Sequence, residues 1–306
     1  MEVIHLRYDE KIETKADYVV AIGNFEGIHL GHREVIKKAA RIAKDKDLQL
    51  AVMCFDITPR QVVNDINNYY VLRSFEQKKD ILASLGVSTL FLIHFNKKIM
   101  DLTPDEFVQE MIIDKRVKYL VCGYDFMYGR NKTGNTTLLQ QYSEFNTVIL
   151  PRYEYNQEKV SSTLIHEMLL HGEIEQVNRL LVQPYTIVGH VVKGNQKGRT
   201  IGFPTANIVP IVNYRIPQTG VYASIVKVKG KEYYAMTNIG HNPTFNFCSV
   251  TSIESNIFSF NQEIYDELIE VTLVKFCRRE KIFSDVELLV KQLEYDRQEI
   301  KAFFEI

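Results

Sequence analysis

Two histidines three residues apart, His29 and His32, stand in the stretch "GNFEGIHLGH" at 23–32. It follows an apolar run, "YVVAIGNF" (18–25), and opens "HREVIKKAARIAKDKD" (32–47), whose apolar residues recur at helical spacing. A strand handing over to a helix presents free backbone N–H groups, which hold phosphate oxygens, and glycines let the ligand come close. Imidazole N–H groups placed there can donate to charge that grows on a transferring phosphorus. A second group lies in "KGNQKGRTIGFPTANI" (193–208). Gly194, Lys197, Gly198 and Arg199 offer backbone donors and cations for phosphate, while Thr205 and Asn207 offer small oxygens for Mg²⁺, on a turn stiffened by Pro204. From the residues alone, an ordinary barrel loop accounts for this second group equally well.

The elements that must carry these groups differ between the two halves. Up to about residue 183, apolar runs ("LQLAVMCF" 48–55, "STLFLIHF" 88–95, "VKYLVCG" 117–123, "FNTVILP" 145–151) alternate with helical patterns ("SFEQKKDILASLG" 74–86, "TPDEFVQEMIIDKR" 103–116). Thr103 is the expected cap of the last of these, with Pro104 at its first position. Such alternation predicts a parallel α/β sheet with its ligands at the strands' C-terminal ends. "SSTLIHEMLLHGEIEQVNRLL" (161–181) reads as two short helices broken at Gly172. From 184 onward, short β-branched and aromatic runs separated by Gly, Asn and Pro predict a mainly antiparallel barrel or sandwich. "SDVELLVKQLEYDRQEIKAFF" (284–304) predicts a closing helix with Ser284 as its cap. The expected domains are 1–183 and 184–306.

Totals narrow the classes. At 306 residues, with 45% apolar and 25% charged side chains, the chain has the balance of a globular protein of two domains. Lys plus Arg is 37 against 38 Asp plus Glu, so no whole-chain field attracts nucleic acid or an anionic membrane. The opening residues lack the basic-then-apolar layout of a signal peptide, no apolar run reaches membrane-spanning length, and Cys54, Cys122, Cys248 and Cys277 form no C-x-x-C pair. A reducing cytoplasm is the expected compartment, with the thiols free.

The "GNFEGIHLGH" stretch resembles the H-x-G-H nucleotidyltransferases, and the chain along its whole length resembles the bacterial bifunctional riboflavin kinases/FMN adenylyltransferases (FAD synthetases). That resemblance implies an α/β nucleotidyltransferase domain that joins FMN to the α-phosphate of ATP, with His29 and His32 at that phosphate and Gly23, Asn24 and Gly31 beside it. "VCGYDFMYGRNKTGN" (121–135) is similar to the family's flavin- and nucleotide-contacting loop, which implies flavin roles for Asp125, Phe126 and Arg130. "VSSTLIH" (160–166) is similar to a Ser-Ser-Thr-x-x-Arg signature, implying triphosphate contacts from Ser161, Ser162, Thr163 and, in place of the arginine, His166. Thr58 in "CFDITPR" stands where the family often has histidine, and Glu26 where it usually has aspartate.

In the second half, "GRTIGFPTAN" (198–207) matches the riboflavin kinase signature, which implies Mg²⁺ and ATP at Thr205 and Asn207. Glu254, in "TSIESNIFSF", takes the place of the family's catalytic base; strand alternation sets it and Asn256 opposite Ile253, Ser255 and Ile257. "NIGHNPTF" (238–245) resembles a further family loop, and Arg279 and Asp296 match its C-terminal flavin segment. The implied substrates are riboflavin, FMN and ATP, with FMN and FAD as products and no nucleic acid or membrane partner. Two other readings stand: a riboflavin kinase with a degenerate adenylyltransferase domain, because of Thr58 and His166, and a flavin-sensing regulator without turnover. A regulator has no need of a base such as Glu254.

Overall fold

The computed structural model describes residues 1–8, 16–57, 69–194, 196–242 and 250–306. They form two compact units, one of Met1–Tyr69 with Phe75–Ser161 and one of Tyr70–Ser74 with Ser162–Ile306.

The first unit is built on six parallel strands, β1 (Glu2–Leu6), β2 (Tyr18–Ile22), β3 (Gln49–Phe55), β4 (Thr89–Ile93), β5 (Val117–Gly123) and β8 (Asn146–Leu150), in the order β1-β4-β3-β2-β5-β8, with two short hairpins, β6 (Met127–Tyr128) with β7 (Gly134–Asn135) and β9 (Glu154–Tyr155) with β10 (Glu158–Lys159). All five residues of β2 and all five of β4 are buried, as a parallel sheet covered on both faces requires. From β2 the chain winds outward to β3 and β4, then returns to β5 on the other side. This reversal opens a crevice at the C-terminal ends of β2 and β5, where open α/β sheets bind ligands. The expected parallel α/β domain is therefore present. Sequence reasoning did not pick out β1, a five-residue edge strand whose central residues are only half-buried.

In the second unit six antiparallel strands close a barrel: β11 (Thr186–Val192), β12 (Ala206–Pro210), β15 (Val250–Ile257), β14 (Lys231–Asn242), β13 (Gly220–Val228) and β16 (Leu268–Arg278). Lys229 and Gly230, at φ 48° and 80°, form the two-residue turn between β13 and β14, matching the twist of a tight hairpin. Inside the barrel the hydroxyls of Ser224, Thr237 and Ser255 form a fully buried chain, with links of 2.6 and 2.7 Å. Each polar oxygen thereby keeps a partner where water is absent.

The C-terminal helix, Val286–Phe304, packs through Val290, Leu293 and Ile300 in one cluster with Val221 and Ala223 of β13 and Met236 of β14. Its cap is Asp285 rather than Ser284: Asp285 Oδ1 accepts the Leu288 N–H at 2.8 Å, while Ser284 Oγ donates to the same carboxylate at 3.0 Å. Aspartate prevails because a charged acceptor at a helix N-terminus makes the stronger bond.

The units part at Ser161/Ser162, so the helical pair Ser162–Leu170 and Ile174–Leu180 belongs with the barrel. Ile165, Leu169, Ile174, Val177 and Leu180 are fully buried, and Asn178 joins the pair to the barrel by donating to Leu273 O and accepting from the Tyr185 N–H. A strap from the first half, Tyr70–Ser74, completes the same unit. Val71 exchanges backbone bonds with Asn213 and Arg215, Leu72 is buried, and the buried Arg73 donates to the carbonyls of Gln183 and Pro184.

One ion pair anchors the closing helix. Arg278 of β16 donates through Nε (2.9 Å) and a terminal nitrogen (2.6 Å) to Asp296, whose side chain is 4% exposed. Removing one partner of such a pair leaves an uncompensated buried charge. Asp296→Ala is expected to lower the second unit's stability by about 3–5 kcal/mol. Urea denaturation should show an earlier transition for that unit and an unchanged one for the first.

Candidate functional sites

The first site forms where β2 ends. Gly23 N–H donates to Met53 O at 3.1 Å, extending the pairing with β3 one residue past the strand. The chain then turns through Phe25 and Ile28, whose φ angles of 45° and 48° are left-handed, and both side chains are buried. A β-branched residue rarely adopts that conformation, which is held against strain of order 1–3 kcal/mol. The turn delivers His29 as the cap of the helix Leu30–Lys46, its Nδ1 accepting the His32 N–H at 3.3 Å. With Nδ1 occupied as an acceptor, the ring's proton resides on Nε2, which is therefore a donor.

His32 stacks on His29 with centroids 3.6 Å apart, and Phe25 meets its other side edge-on. Burial, reinforced by the Lys159 charge, pushes the His29 imidazole down to about 4. Burial and the neighbouring His29 hold His32 well below the ordinary imidazole range. Both rings are neutral at pH 7 and act as hydrogen-bond donors rather than charges. Among the described residues, the buried His32 Nδ1 has no hydrogen-bond partner.

Across the crevice, at the end of β5, Asp125 forms an ion pair with Lys159, whose ammonium lies 5.3 Å over the Tyr124 ring. Phe126 stacks on the buried Tyr128 at 5.8 Å. Gly134 is required there, because a Cβ would stand 2.7 Å from the Tyr128 ring. Arg130 is exposed at the following turn, with its N–H on Leu102 O. Gly31 lies against Tyr153, which brings the 153–160 hairpin over the histidine turn and Lys159 with it. Lys159 is a component that sequence reasoning missed: it precedes the Ser-Ser-Thr motif, and only the fold shows where it points. Asn24 is exposed at the mouth of the turn.

Ser161 ends the first unit, whereas Ser162, Thr163 and His166 lie in the second. There His166 Nδ1 accepts from Arg215 Nε at 3.1 Å, and the Arg215 guanidinium stacks 4.3 Å over Tyr70. Thr58 lies outside the described residues, as do Cys248 and the Pro243-Thr244-Phe245 stretch. Cys54, Cys122 and Cys277 are free, the first two buried.

The second site lies on the outer face of the barrel. Register places Asn207 of β12 opposite Glu254 of β15, and Glu254 opposite Asn238 of β14, so the three share one face. Thr205 Oγ1 donates to Glu254 Oε2 at 3.2 Å. Ile253 and Ser255 point into the barrel, as alternation predicts. Asn256 donates to Pro204 O at 2.7 Å, tying the Pro-Thr turn to β15.

The glycines on the neighbouring loop answer to close approaches. A Cβ on Gly194 would stand 2.4 Å from the Asn207 amide, and one on Gly198 only 2.2 Å from Phe203 O. Lys197 opens the single-turn helix Lys197–Thr200, on which Arg199 is exposed. Phe203 is clamped by the C-terminal helix, with Arg297 4.9 Å over its ring. Arg279 is exposed beside this region, whereas the Asp296 carboxylate is occupied by Arg278 and Gln292. Asn238 is the site neighbour that sequence reasoning left without a role.

Comparisons with known proteins agree with this geometry. Residues 11–164 match the family model for FAD synthetase, and residues 181–304 the one for riboflavin kinase. The bifunctional riboflavin kinase/FMN adenylyltransferase of Listeria monocytogenes is 39% identical, covering 99% of this chain and 98% of the relative. The Bacillus subtilis protein of the same description is 37% identical over the same shares. A crystal structure from Streptococcus pneumoniae described as a macrolide-efflux protein superposes with a TM-score of 0.93 at 33% identity, covering 98% of this chain and 99% of that one. Among the described residues, no helix is long and apolar enough to cross a membrane. With both family models in chain order and full-length relatives on either side of 38% identity, the chain belongs to the bifunctional riboflavin kinase/FMN adenylyltransferase family.

Proposed function

We propose that this chain is a cytoplasmic enzyme that phosphorylates riboflavin to FMN with ATP and then adenylylates FMN to FAD, the kinase reaction in 184–306 and the adenylyl transfer within 1–183. The observation that carries the reading is the convergence of Thr205, Asn207 and Glu254 from a turn and two strands, a grouping that a merely flavin-binding regulator would not need.

In the kinase reaction Glu254 accepts the proton of the riboflavin 5′-hydroxyl as its oxygen attacks the γ-phosphorus of ATP, and ADP leaves. The Thr205 hydroxyl and the Asn207 amide oxygen are hard oxygens that suit Mg²⁺, and Gly194 lets its loop pack directly against the Asn207 amide. Bound there, Mg²⁺ would neutralise charge on the transferring phosphoryl group. The backbone N–H groups around Gly194 and Gly198, with Lys197 and Arg199, are assigned to the ATP phosphates.

In the adenylyl transfer a phosphate oxygen of FMN attacks the α-phosphorus of ATP, forming the new P–O–P bond as pyrophosphate leaves. His29 Nε2–H and the His32 ring stabilise the negative charge that grows on the α-phosphate oxygens. Gly23, Asn24 and Gly31 supply close backbone approach. Asp125, Phe126 and Arg130 are assigned to the flavin nucleotide, with Arg279 serving flavin in the kinase site. Asp296 would act there through its grip on Arg278. Ser161, the last residue of the first unit, is assigned to triphosphate binding, whereas Ser162, Thr163 and His166 lie in the second unit.

Glu254→Gln is expected to slow riboflavin phosphorylation about 10²–10⁴-fold while leaving FAD formation from supplied FMN intact. Chromatographic separation of riboflavin, FMN and FAD reads both steps, and a kinase rate near wild type would remove Glu254 from the mechanism. Replacing His29 and His32 together with alanine should give the opposite pattern, with FMN accumulating and FAD formation down by at least 10²-fold.

A third expectation follows from the neutral His29. Its folded proton affinity (about 4) lies below the ordinary 6.5, so the unfolded chain binds the proton first as pH falls. The contribution to stability is complete above about pH 6.5 and is lost towards pH 4, about 2 kcal/mol of it by pH 5. Urea midpoints should therefore fall more steeply across that window for wild type than for His29→Asn, which keeps a helix cap but does not titrate.

A further inference from the structure

Asp56 directly follows β3, and His94 directly follows β4. Asp56 N–H donates to Ile93 O at 3.0 Å and His94 N–H to Leu6 O at 2.9 Å, so both are fixed at the sheet edge that carries the histidine turn. The Asp56 carboxylate is organised from three directions. Oδ1 accepts the N–H groups of Ile57 (2.6 Å) and Phe95 (2.9 Å), and Oδ2 is bonded to His94 Nδ1. A carboxylate oxygen accepts, so the contact fixes the tautomer of the neutral imidazole with the proton on Nδ1 and the Nε2 lone pair turned outward. The His94 side chain is 48% exposed and that of Asp56 23%, which leaves the outer edge of the ring open to a ligand. His29 is wired the opposite way, with Nδ1 accepting and Nε2 donating.

This pair has no part in the chemistry described above. A phosphate monoester has its second pKa near 6, so the attacking FMN oxygen is already ionised at pH 7 and needs no base. Nor does an imidazole lone pair suit phosphate oxygens, which are acceptors themselves. The distance points elsewhere on the substrates. β4 lies two strands from β2, about 10 Å across the sheet at roughly 4.8 Å per strand, which is the reach from a nucleotide's phosphates to its heterocycle. Phe55 and Phe95, edge to face at 5.1 Å, pack into the core next to the pair and fix the backbone on either side of it.

We propose that His94, oriented by Asp56, reads a heterocyclic N–H in the adenylyl-transfer site, its Nε2 accepting a hydrogen bond from the adenine amino group or from the isoalloxazine imide. The proposal rests on the reading of the first unit as an FMN adenylyltransferase. It makes His94 a binding and specificity residue and Asp56 the group that fixes its tautomer.

Steady-state FAD formation by the full-length protein tests this, varying ATP at saturating FMN and FMN at saturating ATP. His94→Ala should raise KM for one substrate about fivefold, with kcat within twofold of wild type. His94→Gln, whose amide oxygen can accept, should recover most of the loss. Asp56→Asn should move the same KM in the same direction, because an asparagine amide can donate to Nδ1 and shift the ring proton to Nε2. A rise in KM for ATP identifies adenine. Inosine triphosphate, with an oxo group for the amino group, should then be discriminated against by wild type and not by His94→Ala. A rise in KM for FMN identifies the flavin.

Unchanged KM values for both substrates in His94→Ala would overturn the proposal. So would equal losses in His94→Ala and His94→Gln, or a fall in kcat that tracks a lowered melting temperature. FMN formation from riboflavin in the same samples reports intact protein. A wild type that makes FMN and no FAD would instead overturn the adenylyltransferase reading on which the proposal rests.

Discussion

Burial of two side chains in an unfavourable backbone conformation governs the first site. Phe25 and Ile28 are held left-handed because their side chains fill the core beneath the turn. If either relaxed, the turn after β2 would no longer bring His29 to the head of the helix. The cap bond, the ring tautomer and the stack on His32 all follow from that placement. A glycine would adopt the same backbone without strain but would leave a cavity and a looser turn. The fold therefore obtains a rigid donor from apolar packing rather than from polar contacts.

The two sites solve the same electrostatic problem by opposite means. At the histidine turn, burial strips the imidazoles of charge, so they provide directed donors in a dry setting where each hydrogen bond counts for more. The cation nearby is Lys159, held by Asp125. On the barrel the site is open and lined by oxygens, an arrangement that suits a hydrated cation and a mobile polyol chain. The first site depends on a close-packed core and the second on strand register, so mutations should affect them through different routes.

Much of this was legible in the sequence because local rules and tertiary structure agree. The buried strands β2 and β4 are continuous apolar runs, and Glu254 falls on the correct face by simple alternation. What escaped were features that depend on contacts between distant residues. Asp56 and His94 are 38 positions apart and meet only because their strands are neighbours in a parallel sheet. Asp296 matches a flavin segment in sequence, and its pairing with Arg278, eighteen residues earlier, shows only in the fold. The segment 162–183 is hard to place from sequence for a similar reason: its helices are too short to be stable alone, and the bond from Asn178 to Leu273 of β16 joins distant residues.

The strap Tyr70–Ser74 has a consequence for how the chain is made. It leaves the ribosome early, yet the surface it docks on includes Asn213 and Arg215, which are translated much later. At roughly 5–20 residues per second, the strap waits for several seconds or more with Leu72 and the Arg73 guanidinium unsatisfied. The first unit must therefore fold around a looped-out insertion that contributes nothing to its own core. Synthesis order thus makes the barrel dependent on a segment kept in reserve, and a gene split at the boundary between the two halves would deliver the barrel without its strap.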